Sequence, residues 1–225
     1  FSVLAAVPLY LLAGRLSPGP WLGRWAVAIY LILPLSWFFG SAVMPESLMI
    51  LLSVTALWAF QSWLEVPCWP RFTLAVAAAS LCFAVKIPTL YLGFPLVAMA
   101  LAQHGWGFIR RSTMWLYLLL ALLPAALWYW HAASLFDETG LTFGIFGNTG
   151  YDKWSHDLLL TAAFWHTMGS RFLFAILTPV GGLLAVAGIG GLWPRGRDSS
   201  PRWFLYAWLF GLLLYLLLVP EGNRK

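Results

Sequence analysis

Residues 44–60 read MPESLMILLSVTALWAF. A proline and a glutamate open an apolar run, and another apolar run, WAVAIYLILPLSWFFGSAV at 25–43, ends just before them. Each run approaches the roughly 20 residues that cross a bilayer as a helix. Pro45 suits a helix's first turn, where its missing N–H is not needed. Pro45 and Glu46 therefore read as the turn of a helical hairpin. No basic residue lies near Glu46 in the sequence, so the carboxylate needs an explanation.

Composition makes the same argument for the whole chain. Hydrophobic residues are 61% and charged residues 9% of 225 positions, against about 25% charged in a soluble domain. Such a chain cannot cover a surface that faces water. The apolar pattern does not alternate, which excludes a membrane β-barrel. The expected fold is an all-α, polytopic transmembrane helical bundle of about eight membrane segments with one long outer loop. The segments fall at 1–14, 25–43, 46–63, 72–86, 87–103, 113–131, 171–193 and 203–219. Those at 72–86 and 87–103 are short for spanning helices and fit a protein-lined cavity. The 15 tryptophans suit interfacial anchoring. The net charge of +5 comes without any basic cluster longer than two residues, so no nucleic-acid partner is expected. Cys68 and Cys82 form neither a disulfide framework nor a C-x-x-C spacing.

Alternating the segments across the membrane sorts the charges. Loops 15–24, 64–71, 104–112 and 194–202 carry Arg15, Arg24, Arg71, Arg110, Arg111, Arg195, Arg197 and Arg202, with only Glu65 and Asp198 as acids. By the positive-inside rule this side is cytoplasmic. The opposite side holds Glu46, Asp137, Glu138, Asp152, Asp157 and Glu221, together with Lys86, Arg224 and Lys225. The long stretch 132–170 is the expected extracytoplasmic loop. Within it, SHDLLLTAAFWHTMGS at 155–170 reads as an interfacial helix too short to span, capped by Ser155.

Lys86 stands out, because a lysine on the side poor in basic residues runs against the topological bias. Snorkelling to headgroups is its bland explanation; a phosphate partner is the functional one, since a compact ammonium suits it. Glu46 is either a first-turn carboxylate favoured by the helix dipole or a metal ligand or polar group in an outer cavity. His156 and His166 are ten apart and share no helix face, and His104 and His131 sit at segment ends, so none reads as a metal ligand. Tyr151, Asp152, His156 and Asp157 are the loop residues available to line an acceptor site; solvated loop side chains are the ordinary alternative. Arg171 reads as an interfacial anchor. GGLLAVAGIGG at 181–191 carries the small-residue spacing of close helix packing. No G-x-S-x-G, H-E-x-x-H or phosphate-binding glycine loop is present.

The order of features is distinctive. A hairpin has Pro-Glu at its outer turn, a helix ends in Lys-x-Pro (FAVKIPTLYLGFPLVAMAL, 83–101), a basic loop and a long outer loop follow, and a last apolar helix emerges into VPEGNRK. This resembles the membrane-embedded glycosyltransferases of the GT-C type, within the protein O-mannosyltransferase and lipid A aminoarabinose transferase group. The resemblance covers nearly the whole chain as an internal portion, a single transmembrane domain over 1–225 cut at both ends. It implies an inverting transferase that takes a sugar from a polyprenyl-phosphate donor at the outer face of a bilayer, here a bacterial inner membrane. It implies that Lys86, Arg224 and Lys225 contact the donor phosphate, and that Glu46 lies near the donor or a divalent metal. The family's catalytic aspartate falls upstream of Phe1, so the portion alone is expected to be inactive. A transporter or flippase is the alternative, although no inverted repeat is visible. A non-catalytic scaffold would explain the apolar bulk but not Lys86.

Overall fold

A computed structural model describes residues 1–15, 21–41, 44–140, 157–176, 178–191 and 203–218. These residues are mostly helical, with short connections and no strand among them. In chain order the α-helices are α1 (Ser2–Ala13), α2 (Trp21–Ile32), α3 (Pro34–Ser41), α4 (Glu46–Glu65), α5 (Trp69–Val85), α6 (Gly93–His104), α7 (Ser112–Thr139), α8 (Ala162–Ser170), α9 (Thr178–Gly191) and α10 (Trp203–Leu218). Tight 3-10 turns precede and follow α6, at Ile87–Leu92 and Gly105–Arg110, and a π-helical turn, Arg171–Ile176, joins α8 to α9.

Where they are described, all eight expected apolar segments are helical, but they do not all cross in the same way, and the segment expected at 171–193 is a π-helical turn and α9 rather than one α-helix. Among the described residues, Glu46–Glu65, Ile87–Arg110 and Ser112–Thr139 are each long and apolar enough to span a membrane. The segment expected at 25–43 is not one straight helix. It bends by 63° between α2 and α3, and the two halves pass as a span only together. Pro34 begins α3, and a proline ring cannot sit against the carbonyl of the preceding turn, which accounts for the break. α1, α5, α9 and α10 are shorter apolar helices. At 17 residues α5 is about 25 Å long, a little under the roughly 30 Å hydrocarbon layer.

The bundle is built around α4. It packs along α5 and α1, and α5 in turn carries α7, while α10 lies along α6. Between them lies one apolar core that includes Leu57, Phe60, Ala75, Ala79, Leu92 and Phe204. Near the C-terminal end of α4 the core is aromatic. Trp63 stacks on Tyr117 at 5.9 Å, Phe60 approaches Tyr117 at 4.7 Å, and Trp63 meets Phe72 edge-on at 5.1 Å. α10 comes in very close. A Cβ on Gly211 would stand 2.8 Å from the Tyr91 carbonyl and 2.9 Å from the Phe94 ring, so only glycine lets the backbones approach this far.

Helix directions follow from the contacts. Ser2 and Ser47 hydrogen-bond at one end of the bundle, and Arg15 pairs with Glu65 at the other. Glu46, Lys86 and Thr139 thus share the first end; Trp69, His104 and Ser112 share the second. The side assignment made from alternating loops therefore groups these residues as the bundle does. α7 runs through Thr139, past the segment expected at 113–131, so the first part of the 132–170 stretch is helix. α8 has nine residues, too few to span, with Phe164 buried and Trp165 exposed.

Candidate functional site

Glu46 is the first residue of α4, and Pro45 before it occupies the N-cap, one place earlier than a first-turn proline. The Pro45 carbonyl accepts from Met49 N–H at 2.9 Å and closes the first turn. The positive end of the helix dipole thus faces the Glu46 carboxylate. The neighbouring Ser47 ties this end to α1 and α3, and through Ser2 the tie extends to α2. Ser2 Oγ donates to Ser47 Oγ at 3.0 Å, Ser47 Oγ donates to the Phe39 carbonyl, and Tyr30 Oη donates to the Ser2 carbonyl at 3.0 Å.

Lys86 answers the question that Glu46 raised. Its Nζ lies 2.5 Å from Glu46 Oε1, across 40 residues of sequence. The Glu46 side chain is 17% exposed and that of Lys86 36%. The pair is therefore not dry: the Glu46 side chain is mostly enclosed and that of Lys86 is about one-third exposed. Charges in a membrane protein are costly unless paired, and here each supplies the other's partner. An ammonium has three donors. One is used on Glu46, and among the described residues the other two have no partner. Glu46 Oε2 is buried and has no hydrogen-bond partner among the described residues.

The backbone that carries Lys86 is held by side chains that the sequence did not single out. Lys86 ends α5 in an extended conformation (φ −152°, ψ 124°). In an uninterrupted helix the Ala84 carbonyl would accept from the N–H of residue 88. Residue 88 is proline and has none. Tyr129 of α7 fills the gap: its hydroxyl lies 3.2 Å from the Phe83 carbonyl and 3.1 Å from that of Ala84. Thr89, fully buried, ties the other side, donating to the Cys82 carbonyl at 3.0 Å and the Lys86 carbonyl at 2.6 Å. The Lys-x-Pro-Thr run thus makes a stiff corner that points a lysine out of the end of α5. Tyr129→Phe removes the only donor that reaches the orphaned Ala84 carbonyl among the described residues. Stability should fall by about 1 kcal/mol, and the amides of Lys86, Ile87 and Thr89 should exchange hydrogen faster; unchanged exchange would mean the phenol is not what holds the corner.

The other expected site residues divide in two. Tyr151, Asp152, His156, Arg224 and Lys225 lie outside the described residues. Asp157 opens a short 3-10 turn, Asp157–Leu160, ahead of α8. For a metal, Glu46 could give a single oxygen, Oε2, since Oε1 is taken by Lys86. Among the described residues no three His, Cys, Asp or Glu side chains gather as a metal site.

Residues 1–130, more than half of the chain, match the profile of the family described as dolichyl-phosphate-mannose-protein mannosyltransferase. The matched stretch contains the Glu46–Lys86 pair, the Lys-x-Pro-Thr corner and Tyr129. No curated protein and no solved structure is significantly similar to the chain.

Proposed function

The chain belongs to the dolichyl-phosphate-mannose-protein mannosyltransferase family, and from that premise we propose that it holds a polyprenyl-phosphate sugar at the Glu46–Lys86 end of the bundle. It is an integral membrane protein of the GT-C kind. The observation that carries the proposal is the Lys86 side chain, about one-third exposed, fixed at a stiff corner and paired among the described residues with Glu46 alone.

The chemistry asks for what this corner offers. In sugar transfer the bond from the anomeric carbon to the phosphate oxygen breaks, and the acceptor oxygen takes its place. Charge accumulates on the departing phosphate. A cation already positioned there stabilises the transition state more than the ground state, and reorganises little as the charge appears. Lys86 supplies that cation. Glu46 aims it and balances its charge when no donor is bound, so we assign the carboxylate to Lys86 rather than to a metal. α10 heads from the Arg15 end towards the Lys86 end, passing Tyr91 at Gly211. That direction supports giving Arg224 and Lys225, which follow it in sequence, to the same phosphate. Tyr151, Asp152, His156 and Asp157 then serve the acceptor. The arginines support the orientation we propose: Arg15, Arg24, Arg71, Arg110 and Arg111 belong to the opposite end of the bundle, which fits a cytoplasmic face there and an outer donor end. A bacterial inner membrane is the proposed location.

Binding of a polyprenyl-phosphate mannose to the purified full-length protein tests the reading. Saturable binding competed by the polyprenyl phosphate alone is the expected result. Absence of binding would return the chain to the transporter reading.

A further inference from the structure

A second polar cavity lies at the opposite end of the bundle, about 30 Å along the 20-residue α4 from Glu46. Its volume is about 200 Å³, and the ends of α1, α4 and α6 and the start of α10 enclose it. Arg15, Gln61, Glu65 and Gln103 give it polar walls, and Met99 and Phe204 give it an apolar floor. It is smaller than the roughly 300–1,000 Å³ of pockets for drug-sized ligands, and fits a headgroup or a small metabolite.

Two features specify the ligand's chemistry. The first is charge. Arg15 Nη1 lies 3.3 Å from Glu65 Oε2, so the walls carry one cation and one anion. A simple anion would meet Glu65 and a simple cation would meet Arg15; a ligand with both charges meets both. The second is unmet hydrogen bonding. Among the described residues Arg15 Nη1, despite its carboxylate neighbour, has no aligned hydrogen bond, and Gln61 Oε1 has none either; both atoms are buried. Each such group costs about 1–3 kcal/mol when left alone. The ligand must bring an acceptor for the guanidinium and an N–H donor for the amide carbonyl.

The depth of the cavity indicates where the ligand comes from. Trp21, Trp69, Trp106, Trp115 and Trp203 start or flank the helices at this same end, and each ring is more than half exposed. Exposed indoles gather at headgroup level. We propose that this cavity binds a phosphoethanolamine group, its phosphate on Arg15 and its ammonium between Glu65 and Gln61, supplied by a membrane phospholipid. Phosphocholine carries the same charges but no N–H, and cannot satisfy Gln61.

The full-length protein in nanodiscs of mixed phosphatidylethanolamine and phosphatidylcholine tests this, with retained lipid counted by native mass spectrometry. Wild type should retain phosphatidylethanolamine about tenfold over phosphatidylcholine, the ratio expected of one well-made hydrogen bond. Gln61→Leu removes the unmet acceptor and should fold as well as wild type, yet bring the ratio close to one; Glu65→Gln should do the same. Equal retention of the two lipids by wild type, or a preference that survives both variants, overturns the proposal. Adding phosphoethanolamine in water identifies the source. Resistance of the retained lipid to millimolar competitor supports the phospholipid, while its complete displacement overturns that assignment in favour of a free zwitterion.

Discussion

Lys86→Ala is expected to abolish sugar transfer by the full-length protein while expression and membrane insertion survive. Among the described residues Lys86 Nζ bonds only Glu46, so two of its three donors are available to the phosphate of the proposed donor, and alanine supplies none. Removing a preorganised group of this kind costs about 10²–10³-fold in kcat. Donor binding should weaken as well, because the ground-state phosphate is already charged. Insertion survives because the variant leaves the long apolar helices and the arginines of the other end unchanged. Transfer assays on membranes with matched protein levels give the answer. Wild-type turnover by the alanine variant would leave Lys86 as a headgroup anchor and remove the basis for placing the donor here.

Exchanging the two charges separates structure from chemistry. The double variant Glu46→Lys, Lys86→Glu keeps an ion pair but moves the cation to the start of α4. Glu46→Lys alone sets two ammonium groups side by side at the positive end of a helix dipole, which is unfavourable on both counts. That single variant should lose about 1–3 kcal/mol, less than a fully buried pair would because Lys86 is one-third exposed. The exchange should recover most of the lost Tm. It should not recover turnover, since the cation is no longer carried by the corner that Tyr129 and Thr89 hold. Turnover restored together with Tm would show that Lys86 matters only as the partner of Glu46. Glu46→Gln, which leaves Lys86 in place but unbalanced, should fall between, with activity reduced about tenfold; unchanged activity would reduce Glu46 to a helix-start carboxylate.

The helical segments were legible from apolar length, and both charges of the pair were legible as exceptions to a pattern. Glu46 interrupts two apolar runs, and Lys86 sits on the side poor in basic residues. Their pairing was not legible. They are 40 residues apart, and hydrophobic periodicity does not report which helix ends meet. The break at Pro34 was there to be read, since a proline inside an apolar run of that length marks a kink. The extent of α7 was hidden by Asp137 and Glu138, which look like loop residues but lie on its last turn. Tyr129 gave no signal of its own as one tyrosine in an aromatic helix. The clue was indirect: Pro88 leaves the Ala84 carbonyl without a helical donor, and something must replace it. Arg15 and Glu65 were each placed in loops on one side, but nothing in the spacing showed that they face each other across a cavity.

The hydroxyl of Tyr129 joins the Lys86 corner to the longest helix in the bundle. At 28 residues α7 is about 42 Å long, more than the roughly 30 Å of hydrocarbon it crosses. Most of its surface, including Trp115, Leu119, Leu123, Leu127 and Trp130, faces away from the rest of the protein. Such a helix meets a thinner bilayer by tilting. Tilt moves Tyr129, and Tyr129 holds the carbonyls of Phe83 and Ala84. Membrane thickness, a mechanical property of the surroundings, is therefore expected to reach Lys86 through the packing of α7 on α5 and the phenolic hydrogen of Tyr129.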